Sequence, residues 1–335
     1  MKREEAEIMR KLTILSAALA AVITLGALTT PVVAKPFKLA HSTWVGYGPL
    51  FIARDKGYFK EEGVDVELVN MEDVKIRFAA LAAGRIDALA TTVDTVLLYL
   101  KPGGPKYRYV FALDDSKGGD GVVADKSIKT IADLKGKKVA FTEGSVSQFY
   151  INVLLKQAGL SESDIEVVNM TAGDAGSAFV TGRVDAAVTW EPWLTRGKQS
   201  PHGHLLHDSS MSPGLITDVV VVPENVLKAR AEEIKAIYRA WVRAVDFVKS
   251  NPDESYEIMA KGVGGWLKDP KVFAETLSGI SYYGKTENEA FFGKPGKLGG
   301  LRTTLQNAID IWSGFGKLQV KVTPEDLVSF VAVAQ

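Results

Sequence analysis

The sequence predicts an α/β protein built as two similar lobes, and three observations carry that expectation. The chain resembles itself at an offset of about one hundred residues. Within each copy, short apolar runs of strand character alternate with helix-length segments, the pattern of parallel sheets covered by helices on both faces. The length, 335 residues, with 46% hydrophobic and 24% charged side chains, suffices for two ordinary cores and is too rich in apolar residues for a disordered chain.

The repeat keeps its order. Lys38-Leu39-Ala40 recurs as Lys138-Val139-Ala140, Val69-Asn70-Met71 as Val168-Asn169-Met170, and Gly84-Arg85-Ile86-Asp87-Ala88 as Gly182-Arg183-Val184-Asp185-Ala186, at offsets of 100, 99 and 98. Solenoid repeats run about 20 to 50 residues, so a period this long means paired lobes rather than a stacked array.

In the first lobe, Phe37 to His41 reads as a strand and Pro49 to Tyr58 as a helix opened by proline. Val64 to Asn70 is a second strand, and Val74 to Ala83 a helix closed by Gly84, the usual punctuation at helix ends. Asp87 to Thr91 is a strand and Val93 to Tyr99 a helix. Lys138 to Thr142, Ser147 to Ala158, Ile165 to Met170, Ala172 to Thr181 and Asp185 to Trp190 take the matching places in the second lobe. The polar, glycine-rich stretch Asp114 to Gly121 before Val122-Val123-Ala124, and Thr217-Asp218 before Val219 to Pro223, read as two crossings between lobes. Beyond them, Glu224 to Lys249 reads as one helix with Ile234, Ile237, Tyr238, Trp241, Val242 and Val245 on its core face, stopped at Asn251-Pro252. The expected division is 1–34 as an export segment, 35–120 as the first part of lobe 1, 121–222 as lobe 2 with a hinge strand at each end, and 223–335 as the helical return to lobe 1.

Residues 1–34 have a charged start, an apolar run of 17 residues from Leu12 to Leu28, and Pro31-Val32-Val33-Ala34 before Lys35, the layout of a secretory signal peptide cut after Ala34. A retained membrane anchor is the alternative, although about 20 apolar residues is the more usual span. Cleavage leaves 301 residues with 36 basic and 37 acidic side chains, exported and soluble. The balanced charge, 40 basic against 40 acidic residues in the full chain, gives no electrostatic reason to bind nucleic acid. The absence of cysteine removes disulfides, thiolate metal sites and cysteine nucleophiles.

Ligands of open α/β sheets bind beyond the carboxyl ends of the strands, where helix N-termini present free N–H groups. The repeat therefore nominates Trp44, Tyr47 and Gly48 after the first strand, Val93, Asp94 and Thr95 after the third, Ser145, Val146 and Ser147 at a second-lobe helix start, and Trp190 and Glu191 after the last strand. Asp218 joins them from the second crossing. Ser145, Ser147 and Asp94 could equally cap helices, the tryptophans could be packing, and Glu191 and Asp218 could be surface carboxylates. Taken together, Asp94, Glu191 and Asp218 favour a ligand with a cationic or N–H-rich group, because several acids repel a pure anion.

Enzyme signatures are weak. Gly46-Tyr47-Gly48-Pro49-Leu50-Phe51 lacks the third glycine of a dinucleotide fingerprint, Ser145 is in no G-x-S-x-G elbow, and no P-loop occurs. His202, His204 and His207 form an H-x-H-x-x-H cluster that could hold zinc, with a flexible loop as the plain reading; no metal or cofactor is expected.

Thr43 through Thr95 and Ile131 through Trp193, with their GRIDALATTVDT and GRVDAAVTWEPW runs, resemble periplasmic solute-binding proteins of the nitrate, sulfonate and taurine class of ABC importers. The resemblance implies a two-lobe, Venus-flytrap fold of type II with two crossover strands. It also implies a non-enzymatic, monomeric protein of the periplasm that closes on one small molecule and delivers it to a permease driven by a separate ATPase. The family's pocket falls on Trp44, Tyr47, Gly48, Val93 to Thr95, Ser145 to Ser147, Trp190 and Glu191. Asp94 departs from what a plain anion binder needs. An amine-bearing or zwitterionic solute such as taurine is expected, with an alkanesulfonate, nitrate or a thiamine-precursor pyrimidine as alternatives. A rival from another class, a pyrimidine synthase like the fungal enzymes of similar fold, is disfavoured because those resemble a cysteine-rich, iron-dependent design.

Overall fold

The computed structural model describes residues 3–4, 35–264, 267 and 269–334. The chain divides into two units, Met1–Lys35 and Pro36–Gln335, and the second carries the fold. The export segment read at 1–34 lies outside the described residues apart from 3 and 4. No helix among the described residues is long and apolar enough to cross a membrane.

The second unit holds two large sheets. Strands β1 (Phe37–His41), β2 (Val66–Asn70), β3 (Ala88–Thr92), β4 (Tyr107–Ser116), β10 (Thr217–Pro223) and β11 (Ile280–Tyr282) form the first, in the order β11-β4-β10-β3-β1-β2. Strands β5 (Asp120–Asp125), β6 (Lys138–Phe141), β7 (Glu166–Asn169), β8 (Ala186–Trp190) and β9 (Gly203–Asp208) form the second, in the order β7-β6-β8-β5-β9.

The sequence repeat is a structural repeat down to single hydrogen bonds. β1 pairs in parallel with β2 and β3, as β6 does with β7 and β8. Asp87 accepts from the Lys38 amide at 2.9 Å, and Asp185 from the Lys138 amide at 2.8 Å. Gly84 and Gly182, which end the preceding helices, sit at φ 65° and 69°, where a side chain is strained. The sheets are mixed, however, rather than purely parallel. β10 runs antiparallel to β3 and β4, β11 runs antiparallel to β4, and β5 runs antiparallel to β8 and β9. The strands next to the crossings enter from the opposite direction, so only the repeated β-α-β units keep the parallel sense.

The crossings are shorter than composition suggests. Asp114 and Asp115 belong to β4, where β10 and β11 pair with them, and Asp120 already opens β5. Only residues 117–119 bridge the sheets, with Gly118 at φ 123° packed on Gly279. The return passes through 209–216. Ser209 ties the two crossings together: its hydroxyl meets Ser116 Oγ at 2.8 Å and accepts from the Gly118 amide at 2.7 Å.

The helix expected from Glu224 to Lys249 is two helices, Glu224–Ala229 and Ala231–Ser250. Arg230 breaks it with φ −127°, its guanidinium drawn to Asp87 at 2.9 Å and to Glu233. Ile234, Ile237, Tyr238, Trp241 and Val245 are buried as expected, while Val242 is only partly covered. Trp241 donates its indole N–H to the Tyr283 carbonyl at 2.8 Å, the partner a buried indole requires.

Candidate functional site

Where the two sheets face one another, loops from both line a small cavity. Ser42, Trp44 and Tyr47 come from the turn after β1. Val74 and Arg77 come from the helix Val74–Ala82, and Thr91, Thr92 and Thr95 from the end of β3 and the helix Val93–Leu98. Asp120, Ser145, Val146 and Trp190 close it from the second sheet, and Asp218 from β10.

Local chemistry fixes each wall. The Trp44 indole donates to both oxygens of Asp114, at 3.2 and 3.3 Å. Gly46 permits this approach, since a Cβ there would lie 2.1 Å from Trp44 Nε1 and 2.4 Å from Asp114 Oδ2. Tyr47 donates its hydroxyl to Asp218 Oδ1 at 2.5 Å. Ser145 caps the helix Val146–Gln157, accepting from the Ser147 amide at 3.2 Å. Trp190 reaches across from the second sheet and donates to the Thr43 carbonyl of the first at 2.8 Å. A second cross-sheet bond runs from the Tyr99 hydroxyl to the Gly144 carbonyl at 3.2 Å.

Carboxyl groups concentrate here. Burial pushes Asp218 up to about 7, reinforced by Asp94 and Asp115 and opposed by the Tyr47 hydrogen bond and by Arg77. Asp120 lies well above the ordinary carboxylate range through burial, with the Asp218, Asp94 and Glu191 charges adding to it against a bond to Ser116. Asp114 is likewise held high by burial and by Asp218, despite the Trp44 indole. Asp94 rises to about 7 through burial, opposed by hydrogen bonds to Thr92 and Thr95, and its Oδ1 is buried without a partner.

The nominated residues divide. Trp44, Tyr47, Thr95, Ser145, Val146, Trp190 and Asp218 line one cavity. Gly48, Val93, Asp94, Ser147 and Glu191 do not form its wall. Gly48 is pressed against Met259, which would meet an added Cβ at 2.5 Å, and the Val93 carbonyl accepts from Tyr109 at 2.7 Å. Asp94 is 1% exposed and close enough to perturb Asp120 and Asp218, with its carbonyl accepting from Trp312. Ser147 is buried with its hydroxyl unpartnered. Glu191 accepts from the Thr195 amide at 3.0 Å and hydroxyl at 2.7 Å, with Lys198 at 3.5 Å, so its carboxylate organises the helix Trp193–Lys198.

Sequence reasoning missed Asp114, Asp120 and Arg77. Arg77 is 4% exposed, and its Nε and Nη1 are buried without a hydrogen-bond partner among the described residues. Its signal was present: Val74, Arg77, Phe78 and Leu81 share the buried face of one helix, where an arginine is out of place unless it has a task. Of the three nominated histidines, His202 lies in the turn before β9, and His204 and His207 lie within that strand. His202, His204 and His207 meet the Phe179 carbonyl, the Ile128 carbonyl and the Tyr150 hydroxyl at 2.9, 2.7 and 2.6 Å.

Comparison with known proteins sets this geometry in context. The family model described as NMT1/THI5 like matches residues 44–255. A binding protein of Brucella abortus (strain 2308) is 29% identical over 278 residues, 82% of this chain and 84% of that protein. Two solved structures superpose on most of the chain. The periplasmic aliphatic sulphonate binding protein of Escherichia coli has a TM-score of 0.69 at 21% identity, covering 87% of this chain and 96% of that one. The alkanesulfonate-binding protein of Xanthomonas axonopodis pv. citri, bound to MOPS, has a TM-score of 0.73 at 19% identity, covering 89% and 99%. A 4-amino-5-hydroxymethyl-2-methylpyrimidine phosphate synthase of Aspergillus parasiticus is 23% identical over 251 residues, 70% of this chain and 73% of that protein. The fold is that of the periplasmic binding proteins, as the sequence resemblance implied.

Proposed function

The chain belongs to the NMT1/THI5-like family, and on that footing we propose that it is the extracytoplasmic solute-binding component of an ABC importer. It captures a small amine-bearing or zwitterionic solute, with an aminosulfonate such as taurine as the leading candidate, and hands it as a monomer to a permease driven by a separate ATPase. The observation that carries this reading is the placement of Asp120 and Asp218, one from each side of the cleft, on the wall of one cavity. Carboxyl groups on both sides of one space can give up their protons to pair an amine, which a simple anion cannot exploit.

The amine-pairing role expected of Glu191 passes in this reading to Asp218 and Asp120, which line the cavity. Hydroxyls of Ser42 and Thr91 offer further hydrogen bonds, and the rings of Trp44, Tyr47 and Trp190 bound the apolar part. Capture is a hinge motion about the two short crossings: a ligand touching both sides favours the closed arrangement that Trp190 and Tyr99 latch.

A thermal-shift panel of taurine, alkanesulfonates, nitrate, simple amines and aminopyrimidines tests the reading, because a solute bound by the native state alone raises the melting point. Taurine or another amine should shift the wild type and lose its effect in Asp218→Asn. Stabilisation by nitrate or an alkanesulfonate alone would sink the amine assignment. A synthase reading draws on the Aspergillus relative; conversion of a bound pyrimidine by the purified protein would favour it.

A further inference from the structure

We propose that Arg77 receives the anionic end of the solute, so that the ligand is a zwitterion spanning the cavity from the helix Val74–Ala82 to the carboxyl groups of Asp120 and Asp218. This rests on the cavity being the solute site. Arg77 lines that cavity, is almost wholly buried, and has no hydrogen bond or ion pair among the described residues, with both Nε and Nη1 out of reach of water. A guanidinium remains charged in a protein and presents donors suited to carboxylate or sulfonate oxygens.

Neither neighbouring acid discharges this arginine. Of the two acids near Arg77, Glu72 is bonded by the Thr43 amide and hydroxyl and Asp218 by the Tyr47 hydroxyl at 2.5 Å, and no ion pair joins either to Arg77. A buried charge without a partner destabilises the state that buries it, and the molecule tolerates one where a partner arrives from outside. An oxyanion is that partner. Ser42 and Thr91 hydroxyls on the same wall can complete its shell. A lone amine would leave Arg77 uncompensated, and a plain anion would leave the carboxyl groups facing it; a molecule with opposite charges at its two ends answers both.

The experiment compares wild type, Arg77→Met and Arg77→Lys, without ligand and with three matched probes: taurine, ethanolamine lacking the sulfonate, and ethanesulfonate lacking the amine. Without ligand, Arg77→Met should melt above wild type, since it replaces an unpaired buried charge by an apolar side chain of similar reach; an equal or lower melting point overturns the proposal. This arm decides by itself if no probe binds. By calorimetry, Arg77→Met should weaken taurine by about 30-fold or more, the loss typical of truncating one side of a buried charge pair. Arg77→Lys should recover part of that loss, and ethanolamine should be little affected by either substitution. Unchanged taurine affinity, or an equal loss for ethanolamine, overturns the assignment to Arg77. Val146→Trp, which fills the cavity, separates the two levels: taurine binding that survives it overturns the cavity as the solute site, whatever Arg77 does.

Discussion

Replacing Asp94 by asparagine should make the protein more stable at neutral and alkaline pH. The Asp94 carboxyl is 1% exposed, and burial raises its pKa from 3.8 to about 7. Between those values the folded protein keeps a proton that the unfolded chain releases, so stability falls as pH climbs through the window and the deficit persists above it. At 1.36 kcal/mol per unit, a shift from 3.8 to about 7 amounts to about 4 kcal/mol. Asparagine matches the protonated carboxyl in shape and keeps an acceptor for Thr95, whose hydroxyl lies 3.3 Å from Oδ2. It also removes the charge that pushes up Asp120 and Asp218, so their ionisation becomes easier in the variant. Urea denaturation of both proteins from about pH 4 to pH 8 should show curves that nearly coincide at the acid end and separate toward about 4 kcal/mol in favour of the variant. A difference that does not change with pH, or a variant less stable at the alkaline end, would refute the reasoning.

Other consequences are open to direct measurement. An amine bound against Asp218, which titrates near 7 in the empty protein, must displace a proton below that pH. Affinity should therefore rise with pH and level off above about 7, with proton release visible as a heat that depends on the buffer; a flat profile counts against amine pairing. Glu191→Gln should leave taurine affinity within about threefold and cost about 1 kcal/mol of stability, because its oxygens hold the helix Trp193–Lys198. A tenfold loss of affinity by calorimetry would return Glu191 to the ligand. Gly46→Ala should displace Trp44 from Asp114, costing about 1–3 kcal/mol and weakening binding, with tryptophan fluorescence reporting the move. Trp190→Phe removes the N–H that bridges the cleft to Thr43. It should shift the free protein toward an open form, seen as a larger radius of gyration by X-ray scattering, and reduce affinity about fivefold; identical scattering would deny it a latching role.

What was legible in the sequence was what local pattern determines. The repeated Gly-Arg-Ile/Val-Asp-Ala segment is visible because a left-handed glycine and an aspartate bonding the amide of the first strand are needed in each copy. Trp44 and Tyr47 stood out because rings beside glycines after a strand have few other uses. Features that depend on distant partners were misread. Asp114 and Asp115 look like linker residues until β10 and β11 pair with their strand. The long C-terminal helix looks unbroken until Asp87, far away in the chain, draws Arg230 aside. Glu191, nominated for the ligand, has both oxygens engaged by Thr195 one helical turn ahead, a pairing close in sequence.

The missed arginine changes the inference drawn from charge. Acids alone in the cleft point to a cation and leave the anionic end of a zwitterion without a charged partner. With Arg77 on the same wall as Asp218, closure without ligand buries an unpaired guanidinium together with carboxyl groups that must hold protons to stay there. Both effects penalise the closed, empty state and leave the open state, where water reaches the same groups, less affected. A zwitterion removes both penalties, and because a ligand shifts an equilibrium only by its differential affinity for the two states, that relief is the free energy that drives closure. On the proposed role, a permease that recognises the closed arrangement would read the presence of cargo from the electrostatics of the cavity, without touching the cargo.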